Sequence, residues 1–230
     1  IAERVEPWSY LKFPYLKNVG WKGFTDGMDS GVYTATPLSR LNAANGMATP
    51  KAQEHYEKMY ETLGAEKVDG QYKPVHMRLA THWARLIEML YAAERMLELA
   101  IDPEITDPNV RAPITETPTE GVGCVEAPRG TLTHHYTTDE NGILTKVNLV
   151  VGTTNNNAPM AMSIKKAAQG LITKGTEVTE GLLNTVEMAF RNYDPCMSCA
   201  THSLPGQMPL EITIRDKDGN ELSRGSQFTD

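Results

Sequence analysis

The longest helical pattern in the chain covers residues 75–100, where apolar side chains recur every three or four positions. These positions are Leu79, His82, Trp83, Leu86, Met89, Leu90, Ala93 and Leu97. An apolar face this wide predicts a helix that is buried between other helices. His82 lies on that face, so we expect a core histidine whose hydrogen bonds are satisfied. We also expect the methionine and tryptophan side chains to be core residues.

Three shorter segments also carry helical signals. Residues 49–64 combine Thr49 as an N-cap, Pro50 at the first helical position and Gly64 as a stop. Residues 158–173 and 180–191 have the composition and spacing of two further helices. The sequence therefore predicts four helices as the main framework.

Strand signals are fewer and shorter. Residues 131–138 (TLTHHYTT) and 143–151 (ILTKVNLVV) are β-rich and are joined by DENG, whose Asn-Gly favours a tight hairpin turn. Residues 203–230 predict a second small hairpin with DKDGN as its turn. Residues 1–50 and 101–130 are rich in Gly and Pro and predict loops. The expected fold is mostly α (α+β): a helical-bundle core, a small β-hairpin and long wrapping loops.

Composition narrows the class of protein. The chain has 230 residues, 40% of them hydrophobic and 22% charged, which fits one large globular domain or two small ones. Its net charge of -7 argues against a nucleic-acid-binding surface. No apolar run approaches the ~20 residues of a membrane span. The first residues, IAERVEPWSY, lack a Met and a signal-peptide pattern, so we expect a processed chain or a fragment.

Cysteine usage is sparse and concentrated. The chain has three cysteines, an odd number without a disulfide framework, which favours a reducing compartment, the cytoplasm. Two of them, with a histidine, lie in YDPCMSCATH, residues 193–202. A redox C-x-x-C needs a βαβ context in which it opens a helix, whereas this one follows a predicted helix. Structural zinc usually takes four ligands, and Cys196, Cys199 and His202 supply three. Half of a thiolate-ligated metal site is favoured, with nickel, iron, copper or zinc as the metal.

The same motif resembles the D-P-C-x-x-C-x-x-H end of nickel–iron (NiFe) hydrogenase large subunits. A second match is the block EAPRGTLTHHYTTDENGILTKVNLVVGTTNNNAP, residues 126–159, which is similar to the family's E-A-P-R-G-x-L-x-H element and the threonine loop after it. The segments VEPWSYLKFPYLKNVGWKGFTDGMDSGVY and RLNAANGMATPKAQE also resemble this family. The resemblance is closest to the methyl-viologen-reducing type associated with heterodisulfide reductase, and next to the NAD-reducing type.

The resemblance implies how the metals are held. Four cysteines bind the Ni–Fe centre in this family, two from an N-terminal R-x-C-G-x-C and two from the C-terminal motif. Cys196 would be a terminal nickel ligand and Cys199 would bridge nickel and iron. The chain contains no R-x-C-G-x-C, so it would be the C-terminal part of a large subunit or would need a second polypeptide. Cys124 lies outside both motifs and is expected to be a buried thiol or a loop residue near the site.

Several other residues match the surroundings of that centre. Arg129 would lie over the open metal position and donate to an iron-bound cyanide; the alternative is a salt bridge in the loop, for instance with Glu126. Pro128 and Asp194 match two other residues that surround the same metal position in the family. Thr153 would bind the second cyanide, although Gly152 stands where the family usually has Pro. For Thr154, a capping role before the 158–173 helix is a competing interpretation.

A separate ion is also implied. His202 resembles the histidine that binds a magnesium or iron ion near the Ni–Fe centre, with a backbone carbonyl that aligns with Leu149. His134 and His135 are not expected to be ligands, because adjacent strand residues face opposite sides of a sheet.

The 28 residues after His202 resemble an extension that a maturation endopeptidase removes once nickel is bound, so the domain would be 1–202 and the extension 203–230.

The implied activity is the reversible splitting of dihydrogen at a Ni–Fe centre with CN and CO ligands. Either a thiolate or Arg129 would accept the proton. The electrons would pass to an iron–sulfur small subunit, within a larger complex of the heterodisulfide reductase type. Two alternatives are a hydrogenase-related, complex-I-like subunit without this chemistry and a zinc-stabilised interaction domain. Retention of the cysteine pair and Arg129 argues against the first, and metal content separates all three.

Overall fold

A computed structural model describes residues 1–173, 175–177, 179–197 and 211–226. The chain divides into two compact units. The first unit comprises residues 1–33 and 157–230, and the second comprises residues 34–156. Helices and strands are mixed in both units, so the α+β class predicted from the sequence is confirmed.

The helical core of the second unit is made by three helices: α1 (Pro37–Ala43), α2 (Pro50–Thr62) and α3 (Ala80–Ala100). They bury one continuous apolar cluster of Leu38, Leu41, Ala52, Tyr56, Met59, Tyr60, Val75, Ala80, Ala84 and Ile87. A two-residue hairpin, β3 (Lys67–Val68) and β4 (Gln71–Tyr72), joins α2 to α3. The cluster fixes α1 against α3, and α1 carries the residues that reach the candidate site.

The start of α2 follows the sequence signals with one difference. Thr49 is the N-cap residue and Pro50 is the first helical residue, as predicted, and Gly64 ends the helix region with a φ of 69°. The Thr49 side chain does not cap its own helix; its hydroxyl donates to Glu94 Oε2 of α3 at 2.7 Å. Glu94 also accepts from the N–H groups of Lys51 and Ala52, so a carboxylate from α3 satisfies the first turn of α2.

The sheet of the second unit has three antiparallel strands: β5 (Glu120–Ala127), β6 (Gly130–Thr138) and β7 (Leu144–Val150). The predicted 131–138/143–151 hairpin is confirmed as β6 and β7, with the turn at Asp139–Gly142. Strand β5 was not predicted from the sequence; it pairs with β6 along its whole length. The central strand therefore begins immediately after Arg129.

The first unit contains a hairpin of β1 (Ala2–Val5) and β2 (Lys12–Tyr15) and two packed helices, α4 (Asn157–Leu171) and α5 (Glu180–Arg191). Five aromatic side chains, two of them from β2, pack in one cluster: Trp8, Phe13, Tyr15, Trp21 and Phe24. The two predicted helices are confirmed to within one or two residues. The predicted terminal hairpin is confirmed as β8 (Glu211–Arg215) and β9 (Glu221–Ser226).

Two loop predictions were wrong in part. Residues 1–50 contain β1, β2 and α1, and residues 101–130 contain a short 3-10 turn (Pro103–Thr106) and β5. β1, β2 and α1 are short, and β5 lies at the edge of its sheet, so local composition does not reveal them.

The prediction for the long helix was also wrong in two respects. It begins at Ala80 rather than residue 75, and its buried face is narrow, formed by Ala80, Thr81, Ala84 and Ile87. Leu86 and Leu97, expected to be buried, are 63% and 67% exposed, and Met89 is exposed as well. His82 is exposed and lies 3.3 Å from Arg85 rather than in the core. In the described part of the chain, no helix is long and apolar enough to cross a membrane.

Candidate active site

The EAPRG segment forms a tight turn between β5 and β6. Gly130 has a φ of +150°, and a Cβ there would lie 2.4 Å from the Gly152 carbonyl oxygen and 3.0 Å from that of Ala35. Only glycine fits this close backbone approach. A Cβ at Gly152 would in turn lie 3.3 Å from the Gly130 nitrogen and 3.5 Å from Arg129 Cβ. The structure thus brings the Arg129 turn and the loop that carries Thr153 into direct contact.

Two buried asparagines tie this turn to its neighbours. Asn156, 1% exposed, donates to the Arg129 carbonyl at 2.7 Å and accepts from the Ala35 N–H at 2.9 Å. Asn155, also 1% exposed, donates to the Thr131 carbonyl at 2.7 Å and to that of Val151 at 3.1 Å. Each amide makes two or more good contacts, so the side chains are held in one orientation.

A charged pair supports the same turn from the helical side. The Arg40 guanidinium of α1 forms a bidentate pair with Glu88 of α3, at 2.7 Å and 2.5 Å. Its Nη2 also donates to the Pro128 carbonyl at 3.3 Å, and its Nη1 to the Ala35 carbonyl at 3.5 Å. The Arg40 side chain is 11% exposed. A cavity of about 450 Å3 beside this pair is lined by residues of α1, α3 and the Glu126–Pro128 segment.

The other residues of the second unit with a predicted role lie in β7 and in the turn that follows it. Thr153 and Thr154 are both buried in the 3-10 turn that follows β7. Leu149 pairs with His134 across β6 and β7. His134 is hydrogen-bonded to the Tyr136 hydroxyl at 2.7 Å.

His135 pairs with Glu120 at 2.7 Å, from the opposite face of the sheet. Both histidines therefore have hydrogen-bonding partners on the sheet. Cys124 was expected to be buried or in a loop; that was wrong, because it is an exposed thiol on β5.

In the first unit, the start of the cysteine motif is anchored through its tyrosine. Tyr193 is 3% exposed, and its hydroxyl lies 3.0 Å from Ser163 Oγ and 3.3 Å from the Pro159 carbonyl, both in α4. Asp194 follows with a φ of 51°, a left-handed conformation that turns the chain away from the end of α5. Cys196 is half-buried two residues later.

The remaining predicted ligands, Cys199 and His202, lie outside the described residues, as does the predicted boundary between 202 and 203. Within the described ranges, no group of three or more His, Cys, Asp or Glu side chains could hold a metal ion. The donor chemistry of the motif nevertheless fits a nickel–iron centre in part. Thiolates are soft ligands, but three cysteines cannot supply the four that the resemblance requires.

Sequence reasoning missed the residues that hold the turn. Thr153 and Thr154 received predicted roles, but the three asparagines at 155–157 did not, although asparagines between a strand and a helix signal side-chain contacts to the backbone. Arg40 and Glu88 carry no local signal, because they are 48 residues apart in sequence.

Comparison with known proteins gives a consistent result. The nickel-dependent hydrogenase family matches residues 27–202. The iron-sulfur subunit of an F420-non-reducing hydrogenase from Archaeoglobus profundus is 55% identical over 228 residues, which cover 99% of this chain and 45% of that protein. The corresponding F420-non-reducing hydrogenase protein of Methanothermobacter thermautotrophicus is 45% identical over 227 residues, covering 97% and 44%.

A solved structure extends the similarity to the fold. The crystal structure of an NAD+-reducing NiFe hydrogenase in the H2-reduced state matches with a TM-score of 0.73 at 40% identity, covering 87% of this chain and 41% of that one. The beta subunit of the NAD-reducing hydrogenase HoxS from Cupriavidus necator is 45% identical over 221 residues, covering 95% and 42%. The chain therefore spans somewhat less than half the length of the relatives it matches.

Proposed function

The chain belongs to the nickel-dependent hydrogenase family, as its motifs predicted, and we propose that it forms the C-terminal part of the catalytic large subunit of a NiFe hydrogenase. The observation that carries this proposal is the pairing of the Arg129 turn with the Thr153 loop, in a chain that also contains the D-P-C-x-x-C-x-x-H motif. The 55% identity to an F420-non-reducing relative favours the predicted methyl-viologen-reducing type.

In the proposed enzyme, Cys196 and Cys199 contribute two of four thiolates, and the other two come from sequence beyond this chain. When bound, a Ni–Fe centre with CN and CO ligands would supply the site at which dihydrogen is split. The chain's own contribution is to hold groups around it. Tyr193 fixes the start of the motif, so that the following residues leave α5 in a defined direction.

Arg129 has the properties expected of a residue over the open metal position. A guanidinium remains protonated at all working pH values and offers five donors. Arg129 is half-buried, so its donors act in a region with less water than the surface. Thr153 and Thr154 are buried in the loop whose backbone closely approaches the Arg129 turn, with Thr153 assigned to the second cyanide. Pro128 and Asp194 are the other two residues proposed to surround the metal position.

The C-terminal end carries a further set of proposals. His202 and the Leu149 carbonyl bind a magnesium or iron ion, and a maturation endopeptidase cleaves between His202 and Ser203. The family match ends at residue 202, which supports a boundary between a domain of residues 1–202 and an extension of residues 203–230.

We also propose that the α1–α3 core belongs to a larger helical bundle completed by the rest of the large subunit, since the outer face of α3 is apolar and exposed. The electron acceptor is an iron–sulfur small subunit, and heterodisulfide reductase is the proposed larger partner. A cytoplasmic location remains a prediction.

A cysteine comparison tests the proposed function directly. In the purified complex that contains this chain, Cys196→Ser should remove nickel and abolish hydrogen-dependent reduction of methyl viologen, because a hydroxyl does not replace a soft thiolate ligand. Cys124→Ser is the matched control: this thiol is exposed on β5, and its replacement should leave nickel content and activity unchanged. Full nickel content and activity in Cys196→Ser would contradict the proposal.

A further inference from the structure

Three side chains from elsewhere in the chain donate to backbone carbonyls of the Arg129 turn and of the start of β6. Arg40 donates to Pro128 at 3.3 Å, Asn156 to Arg129 at 2.7 Å and Asn155 to Thr131 at 2.7 Å. These three donors come from α1 and from the loop after β7, on opposite sides of the turn in sequence. The turn is therefore held from two directions by side-chain donors.

Each donor is itself fixed by a second contact. The bidentate pair with Glu88 orients the Arg40 guanidinium. Asn156 accepts from the Ala35 N–H through Oδ1, which fixes which end of its amide faces the Arg129 carbonyl. Ala35 also contributes its carbonyl to Arg40, so the two supports meet at one residue.

The backbone leaves little room for the turn to move on its own. Gly130 and Gly152 approach so closely that a Cβ on either one would crowd the other segment. A shift of the turn that carries Arg129 must therefore also displace the loop that carries Thr153.

We propose that Arg40 and Asn156 are positioning residues, which hold the Arg129 turn in the geometry that places its guanidinium for the reaction. The chemical role of Arg129 rests on the proposed function. The holding of the turn rests only on contacts within residues 34–156. The two can therefore fail separately.

The test is Asn156→Asp in the purified complex, measured by hydrogen–deuterium exchange and by kinetics. Asp keeps an oxygen for the Ala35 N–H but replaces the donor to the Arg129 carbonyl with a second oxygen, which repels it. We expect amide exchange in residues 127–132 to rise about tenfold or more, as a local opening becomes easier. We expect kcat to fall about 10- to 100-fold at unchanged nickel content, because a misplacement of about 1 Å can cost about 100-fold.

The matched control is Asn157→Asp. Asn157 is equally buried, at 1% exposed, and its amide likewise donates to a backbone carbonyl, that of Lys12 at 2.9 Å. The Asn157→Asp substitution makes the same chemical change at a residue that does not contact the turn. Amide exchange in residues 127–132 and kcat should therefore stay at the wild-type level. Equal effects of the two variants on the turn, or a loosened turn with unchanged kcat, would overturn the proposal.

A second pair of variants covers the case in which Asn156→Asp does not assemble. Arg40→Lys keeps the charge but loses the bidentate contact. It should raise amide exchange in residues 127–132, and it should change kcat by a larger factor than it changes KM for hydrogen. Arg191→Lys, on an exposed pair with Glu187, is its control. A wild-type complex without nickel or hydrogen activity would refute the proposed function, while the exchange comparison would still decide whether Arg40 and Asn156 hold the turn.

Discussion

Replacing Gly130 with alanine should displace the turn that carries Arg129. The new Cβ would meet two backbone oxygens, at 2.4 Å from Gly152 and 3.0 Å from Ala35. Real Cβ atoms essentially never approach a heavy atom within 3.0 Å. Neither obstacle is the end of a flexible side chain, so one of the two segments must shift by more than half an ångström.

The magnitude follows from two costs. Inserting a methyl group into a packed site costs about 1–3 kcal/mol. The φ of +150° is a conformation that L side chains rarely adopt, which adds about 1–3 kcal/mol. A total near 3 kcal/mol would lower the Tm by about 6–12 °C for a chain of this size. The accompanying shift should reduce kcat of the assembled enzyme by about tenfold or more.

The assay is thermal unfolding of the 230-residue chain, followed by far-UV circular dichroism, together with kcat of the complex. Gly123→Ala is the matched control on the same sheet: nothing lies within 4 Å of its added Cβ, and its φ is not positive. That control should be neutral or slightly stabilising, since glycine in a strand is unfavourable by roughly 0.5–1 kcal/mol. A Gly130→Ala protein as stable and active as Gly123→Ala would refute the close approach.

Three further predictions concern the packing and the supports. Ile87→Ala should lower the free energy of unfolding by about 2–5 kcal/mol, because the Ile87 side chain is only 2% exposed. Leu86→Ala should lower it by less than about 0.5 kcal/mol, because Leu86 is 63% exposed. Equal losses in chemical unfolding would mean that the wide buried face predicted from the sequence is correct. Tyr193→Phe should lower the Tm by about 2–4 °C, since the lost hydrogen bond is worth about 1 kcal/mol, and an unchanged Tm would contradict the anchoring of the cysteine motif. The hydrogen bond from Thr49 lowers the pKa of Glu94, so its stabilisation is present above the unfolded-state pKa and is lost as pH falls through the lower folded-state pKa. Glu94→Gln should therefore flatten the acid side of a plot of urea midpoint against pH, and an unchanged acid limb would exclude this contribution.

The sequence predicts the helices of this protein well where their ends carry local signals. Pro50 and Gly64 mark the two ends of α2, and α5 begins and ends where the pattern changes. Caps and stops act within one turn of the chain, so they can be identified without knowing the rest of the fold.

Strand β5 is an element that the local sequence does not indicate. Its sequence, EGVGCVEA, contains two glycines and no strong β pattern, and all but its last residue are exposed. It is a strand because β6 supplies a full set of hydrogen-bonding partners. Composition pointed to a loop, and the pairing with a stronger neighbouring strand outweighed it.

The error on α3 has a different origin. The apolar stripe through Leu86 and Leu97 is real in the sequence, but the narrow face through Ala84 and Ile87 is the one that packs within this chain. Hydrophobic periodicity indicates which faces favour burial but not which partner covers them. The chain spans less than half the length of its relatives, which fits our proposal that the rest of a large subunit covers this face.

For the candidate site, the motifs identify the groups with chemical roles but not those that hold them. Arg129 and Cys196 stand out because their types and spacing match a known pattern. Arg40 and Asn156 act through backbone carbonyls and through contacts over long sequence separations, and neither leaves a pattern along the chain.

The most direct measurement is the metal content of the native complex that contains this chain. The expected result is nickel in a stoichiometric amount with the chain, together with iron, and no nickel in the Cys196→Ser complex. Zinc in place of nickel, or no nickel in an otherwise intact complex, would contradict the assignment of this chain to the catalytic part of a hydrogenase.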